Sequence, residues 1–251
     1  MPLKNLVIGI TLAVLLLSWQ HTSVTAMVHK DEEQLYLWAN NLSRKANDPP
    51  YLSLYYRLRE TYFTLAPHAS QPIVFLGDSI TDEGEWSALF PALPVENRGI
   101  GGDTTLGVLN RLHQVIVLQP SQIFLMIGTN DLCFGRSIPD TIANYRQILT
   151  RLHTELPNTK IYIQSVLPFN DALFPSRSLR TNNNIKQLNT EINKLAQTYH
   201  DPYIDLTPAF SGPSGRLPAQ YTTDGLHLNA SGYLLWRDQI KDLVAPRHSP
   251  T

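Results

Sequence analysis

Ile73-Val-Phe-Leu-Gly-Asp-Ser79-Ile-Thr-Asp82 runs four apolar, strand-forming residues straight into a Gly-Asp-Ser turn and then into a helix-like segment. The pattern predicts a buried strand with a serine hydroxyl at its carboxyl end, where open α/β sheets collect their ligands. A serine becomes nucleophilic only when a base takes its proton, and the anion formed by its attack needs hydrogen-bond donors. Two distant stretches carry residues of those types, Ile127-Gly-Thr-Asn130-Asp131 and Thr223-Asp224-Gly-Leu-His227.

Working outward from Ser79, apolar runs alternate with helix-period segments. Strands are predicted at 73–76, 95–98, 122–127, 160–166 and 203–206. Helices are predicted near 85–90 and at 106–118, 139–156, 181–199 and 229–243. On the amino side, helices are expected at 31–47 and 51–65, with Asp48-Pro-Pro50 between them. A polar loop spans 168–180, and a longer Gly/Pro loop spans 207–223. Strands alternating with helices of this length predict a parallel sheet covered on both faces, an α/β domain without repeats or linkers.

The chain has 251 residues, 43% hydrophobic and 16% charged, enough for one domain with a full core. A net charge of -1 without a Lys/Arg run argues against nucleic acid or an anionic membrane surface as the main partner. Cys133 is the only cysteine, so there is neither an internal disulfide nor a cysteine zinc site. Its apolar neighbours favour a packed residue over a reactive thiol. Lys4, the apolar run from Leu6 to Leu17 and Val24-Thr25-Ala26 resemble a signal peptide over 1–26. The run is shorter than the about 20 residues of a membrane span. Cleavage near Ala26 and export are therefore expected, with an uncleaved anchor as the alternative. The glycosylation-type triplets at Asn41 and Asn229 are patterns of chance frequency.

Ser79, Gly102, Asn130 and the Asp224–His227 pair fall at four strand-to-loop junctions. In a parallel sheet all strand carboxyl ends share one edge, so these junctions converge. Asp224, three residues before His227, suits one ring nitrogen and leaves the other for Ser79; the plainer alternative is a cap on the following helix. Asn130 can aim amide donors at an oxyanion, or be a turn asparagine with positive φ. Gly102 can offer an unobstructed backbone N–H, or belong to a turn capped by Asp103. Asp78 and Asp131 are read as loop-holding carboxylates bound to backbone N–H groups. No spacing suits zinc or calcium, and serine hydrolysis calls for no metal and no cofactor.

Gly77-Asp78-Ser79-Ile80, Gly99-Ile-Gly-Gly102-Asp-Thr, Gly128-Thr-Asn130-Asp131 and Asp224-Gly-Leu-His227 resemble, in order, the four blocks of the GDSL/SGNH hydrolase family. The wording of 97–105 and Leu167-Pro168 is similar to the branch containing platelet-activating-factor acetylhydrolase catalytic subunits and bacterial acylesterases. The resemblance implies a flavodoxin-like three-layer α/β/α sandwich over 71–246, with 27–70 as a helical extension packed on it. It implies Ser79 as nucleophile, His227 as base and Asp224 as its orienter. It places the N–H groups of Ser79 and Gly102, with the Asn130 side chain, in an oxyanion hole.

The function expected is an exported serine esterase acting on small or short-chain acyl esters, of a lipid or an acetylated glycan. Lysophospholipase or lipase-like action, glycan O-acetylesterase action, acyl transfer and a catalytically idle secreted binding module are the alternatives. Phe169, Phe174 and Tyr221, in the two long loops, are the candidate pocket residues, with packing as the other reading for the phenylalanines. An ordinary α/β-hydrolase is excluded because Gly-x-Ser-x-Gly would need glycine where Thr81 stands. A dinucleotide site is excluded because the third glycine of its fingerprint would fall at Thr104. The sequence carries no sign of oligomeric state.

Overall fold

Ile73, Val74, Phe75 and Leu76 are without solvent contact in strand β1 (Ile73–Gly77), the burial on both faces that an uninterrupted apolar run demands. The structure, a computed structural model, describes residues 48–244. The expected leader, the helix at 31–47 and the Asn41 triplet lie outside the described residues. Strands β2 (Val95–Gly99) and β3 (Gln122–Met126) flank β1, both parallel, with Ile73 opposite Val95 and Gln122. Strands β4 (Lys160–Gln164) and β5 (Tyr203–Ile204) complete a parallel sheet of order β2-β1-β3-β4-β5. That order reverses between β1 and β3, the switch point at which such sheets open a crevice.

Phe75, Phe124 and Tyr162 stack across β1, β3 and β4 with ring centroids 5.1 and 4.6 Å apart. Trp86 of α3 (Trp86–Leu89) lies flat on Phe75 at 3.8 Å, and Trp236 of α10 (Ala230–Ile240) stands edge-on to Trp86 at 4.8 Å. The alternate residues Val74, Leu76, Ile123 and Leu125 point to the other face and are equally buried. There α4 (Thr105–Arg111), α7 (Ile138–Glu155) and α8 (Asn182–Tyr199) pack in a row. The remaining helices are α1 (Leu54–Leu65), α2 (Ser79–Asp82), α5 (His113–Ile116), α6 (Thr129–Cys133) and α9 (Thr207–Phe210). Among the described residues no helix is long and apolar enough to cross a membrane, and no group of three His, Cys, Asp or Glu is placed to hold a metal.

Three segments differ from the sequence-based expectation. The helix expected at 106–118 is split into α4 and α5 at Leu112, which itself stays helical at φ -60 and ψ -29. Residues 129–133, expected as loop, form α6. Gly128 makes this possible by taking φ +135 immediately before it, a conformation that L side chains resist. The loop 207–223 contains α9, started by Pro208 in its first turn, and a single 3-10 turn at Ala219–Tyr221.

The carboxyl edge of the sheet is tied together by a buried guanidinium. Arg111 donates from Nε to Asp103 Oδ2 at 2.8 Å and from Nη2 to the carbonyls of Gly77 (3.1 Å) and Arg98 (2.9 Å). Neither side chain of the Arg111–Asp103 pair has any solvent contact. Removing one partner of such a pair strands the other charge in a medium that cannot solvate it. Arg111→Met is therefore expected to lower the unfolding free energy by about 3–5 kcal/mol in urea titrations. A loss below about 1 kcal/mol, the scale of an exposed pair, would show that the edge does not depend on it.

Candidate active site

Ser79 opens α2 directly after β1, half-buried, with Asp78 as the cap whose Oδ1 accepts from Ile80 N at 3.1 Å. The histidine is delivered by a turn closed on itself. Thr222 Oγ1 and Thr223 N both donate to the His227 carbonyl, at 2.7 and 3.1 Å. Asp224 Oδ1 accepts from Leu226 N and His227 N, each at 2.8 Å. Helix α10 follows, capped by Asn229, and its Tyr233 hydroxyl donates to Ile80 O in α2 at 2.8 Å. That bond fastens the element behind the histidine to the element carrying the serine. The Asp224–His227 pair thus does not come straight off a strand end as expected, because α9 and the 3-10 turn intervene after β5.

Three side chains form one line. His227 Nδ1 lies 2.7 Å from Asp224 Oδ2, and His227 Nε2 lies 3.0 Å from Ser79 Oγ. A carboxylate only accepts, so in the neutral ring the proton sits on Nδ1 and the Nε2 lone pair faces the serine hydroxyl. Burial opposes a charge on His227. The bond from Asp224 and the charges of Glu83, Asp224 and Asp78 outweigh it, so the imidazole pKa lies above its usual value. Glu83 Oε1 stands 3.8 Å from Nε2. Asp224 is raised by its burial, but the His227 bond and charge and two backbone N–H groups bring it down to about 2.

Three donors stand at the same carboxyl edge, after β1, β2 and β3. The Ser79 and Gly102 N–H groups donate to no other described residue. Gly102 adopts φ +76, and a side chain built there would meet nothing within 4 Å, so the turn is open on that side. Asn130 Nδ2 gives one hydrogen to Asp103 O at 3.0 Å, which orients the amide and leaves its second hydrogen unspent. The plainer alternatives for Asp224 and Asn130 do not fit the geometry, whereas Gly102 does belong to a turn, closed by Asp103 N donating to Ile100 O at 3.1 Å. Asn229, not Asp224, caps α10; positive φ falls on Gly128, not Asn130; and Thr104, not Asp103, caps α4.

Phe174 is partly buried and stands edge-on to the His227 ring at 6.4 Å. Phe169 is fully buried in the main core, so the pocket role expected for it is corrected to packing. Tyr221 packs edge-on to buried Phe210 at 6.3 Å, behind the histidine turn. Glu83 and Tyr233 were not singled out from the sequence. Glu83 carried a weak signal, standing four residues after Ser79 in a helix-like segment, whereas Tyr233 carried none. Arg180, also missed, lies over the Phe169 and Phe174 rings at 5.7 and 4.8 Å. Asp78 and Asp131 hold backbone as expected: Asp131 accepts from Thr105 N at 2.9 Å and Thr105 Oγ1 at 2.6 Å.

The family model described as GDSL-like Lipase/Acylhydrolase matches residues 75–235. The platelet-activating factor acetylhydrolase IB subunit alpha2 of Rattus norvegicus is 29% identical over 178 residues, 68% of this chain and 75% of that protein. A GDSL-like lipase from Bacteroides thetaiotaomicron superposes with a TM-score of 0.64 at 26% identity, covering 75% of this chain and 96% of its own. The lipase/acylhydrolase from Enterococcus faecalis gives 0.55 at 26% identity, over 70% and 98%.

The charges around His227 make its titration a direct probe of the arrangement. By NMR its imidazole is expected to titrate above the unperturbed value of about 6.5. Glu83→Gln removes a charge that favours the imidazolium and should lower that pKa. Asp224→Asn removes the charge-assisted bond that most opposes burial, together with the Asp224 charge, and should lower it further. An imidazole indifferent to both substitutions would contradict the geometry.

Proposed function

The chain belongs to the GDSL-like lipase/acylhydrolase family and is a carboxylic ester hydrolase, and from that premise we propose that it cleaves short-chain acyl esters through a Ser79 acyl-enzyme. The observation that carries this reading is the Asp224–His227–Ser79 line, at 2.7 and 3.0 Å, on a sheet edge where the Ser79 and Gly102 N–H groups are unspent. Ser79 Oγ attacks the ester carbonyl while its proton passes to His227 Nε2. The oxyanion accepts from the N–H groups of Ser79 and Gly102 and from Asn130 Nδ2. Asp224, held ionised by its low pKa, stabilises the imidazolium without taking the proton. Collapse expels the alcohol, which receives the Nε2 proton. Water deprotonated by the same nitrogen then attacks the acyl carbonyl and frees the acid.

A short acyl group is supported by the rat relative, which carries acetylhydrolase in its name. A longer, lipid-like acyl chain is the second reading. It is favoured by Leu173 (55% exposed) and Leu179 (39%) on the loop that carries Phe174, and by Phe134 (39%) just after α6. The leader expected at 1–26 supports action outside the cytoplasm.

A p-nitrophenyl ester series from acetate to palmitate tests the proposal. Turnover is expected to peak at acetate or butyrate, whereas an optimum at long chains would favour the lipid-like reading. Ser79→Ala should lose about 10⁴-fold or more in kcat, and Asn130→Ala about 10²–10³-fold. Equal turnover by wild type and Ser79→Ala would sink the serine mechanism.

A further inference from the structure

Gly101 and Gly102 of the oxyanion loop have no side chains with which to anchor it, and glycine gives up more conformational freedom than any other residue when fixed in one conformation. Gly101 N nevertheless donates to Asp82 Oδ2 at 3.0 Å. The same oxygen accepts from the Tyr55 hydroxyl at 2.6 Å, and Asp82 Oδ1 pairs with Arg59 Nη2 at 2.8 Å. The Arg59 nitrogen also reaches Gly99 O at 3.3 Å, at the other end of the loop. The Asp82 side chain is 8% exposed, so these bonds act where water competes poorly. The Tyr55 ring flanks Gly101, 3.4–3.6 Å from where a side chain would begin. Tyr55 and Arg59 both lie on α1, outside the family-matched 75–235.

We propose that Tyr55, Arg59 and Asp82 are positioning residues for the oxyanion hole, a strap from α1 that fixes the 99–102 loop so that the Gly102 N–H meets the carbonyl oxygen during attack. The inference rests on the Ser79 reading above. None of the three side chains needs to touch substrate. Their effect falls on an interaction that strengthens in the transition state, so loosening the strap lowers kcat and spares KM. A purely structural role in docking α1 predicts something else, a loss of stability alone. The molecule contains its own control, because Tyr56, the next residue of α1, donates to Gly107 O at 2.7 Å, in α4 rather than in the loop.

The test compares wild type, Tyr55→Phe, Asp82→Asn and Tyr56→Phe in the full chain. Three quantities are read: kcat and KM on p-nitrophenyl acetate, the rate of Ser79 labelling by an alkyl fluorophosphonate, and the thermal midpoint. In labelling, Ser79 Oγ bonds to phosphorus, fluoride leaves and the serine proton goes to His227, with the phosphoryl oxygen in the same donor set. Tyr55→Phe should lower kcat and labelling about fivefold, and Asp82→Asn about 10²-fold, with KM within about twofold. Tyr56→Phe should lower the thermal midpoint while kcat and labelling stay within about twofold. Equal kcat and labelling in Tyr55→Phe and wild type, or equal losses in Tyr55→Phe and Tyr56→Phe, would overturn the strap, and this comparison decides even if Asp82→Asn does not fold. A labelled wild type with unchanged variants removes the strap alone. A wild type that is not labelled at Ser79 removes the serine reading and the strap with it.

Discussion

A guanidinium without solvent contact, Arg111, organises the edge at which the serine stands. It holds Asp103 through a charge-assisted bond and at the same time donates to the carbonyls of Gly77 and Arg98, at the carboxyl ends of β1 and β2. Asp103 passes the constraint on, its carboxylate fixing Thr104 N at 2.8 Å and its carbonyl receiving the Asn130 amide at 3.0 Å. The glycine turn, the start of α4 and the Asn130 side chain are therefore one construction with one charged centre. Close approach is part of it. A side chain at Gly77 would begin 2.2 Å from Thr81 Oγ1 and 2.4 Å from Met126 O, so α2 and β3 reach the strand end only because that residue has none.

The base half of the site is assembled on different principles. Its turn is closed by hydrogen bonds among near neighbours, Thr222 to His227 and Asp224 to Leu226 and His227. It is then docked by long-range bonds, Asn170 N to Gly225 O at 2.7 Å, Trp236 Nε1 to Gln164 Oε1 at 2.8 Å and Tyr233 to Ile80 O at 2.8 Å, the last of which reaches the serine's helix. One half is fixed by buried charge at the switch point, the other by a self-sufficient turn docked from outside. The distance between His227 Nε2 and Ser79 Oγ reports how well the two halves are seated.

This division explains what could be read from the sequence. Gly-Asp-Ser after an apolar run, glycine at positive φ and an aspartate three residues before a histidine are local signals, written within a few positions of one another. They identified the parallel sheet and brought Ser79, Gly102, Asn130, Asp224 and His227 together as candidates. The contacts that seat those residues are not local. Tyr233 to Ile80 spans 153 residues, Tyr55 to Asp82 spans 27, and Arg111 to Gly77 spans 34, and none leaves a periodic trace. Phe169 misled for the same reason. An aromatic residue in a polar loop reads as a pocket wall until the fold shows the loop's first residues returning to the core. The strand-end placement of the histidine also failed, because α9 and the 3-10 turn are too short to carry a helical period.

The carboxyl edge concentrates four buried aspartates, and each fixes a backbone N–H. Asp78 holds Ile80, Asp82 holds Gly101, Asp103 holds Thr104 and Asp131 holds Thr105. Burial raises the pKa of all four, so the arrangement costs stability that an apolar edge would not. What it supplies is direction: apolar contacts fill space, whereas a carboxylate accepting from an N–H fixes where that peptide points. Three of the charges are offset by arginines, Arg59, Arg111 and Arg136. Asp78 has no arginine in salt-bridge contact among the described residues, and burial pushes it up to about 7. The N–H of Ile80 and the charge of His227 draw it back down, while the charges of Asp103 and Asp131 push it up. Of the four, the carboxylate next to the nucleophile is the one held by a backbone N–H without an arginine in salt-bridge contact, and that N–H belongs to the helix that Ser79 opens, so it fixes the first turn that presents the hydroxyl.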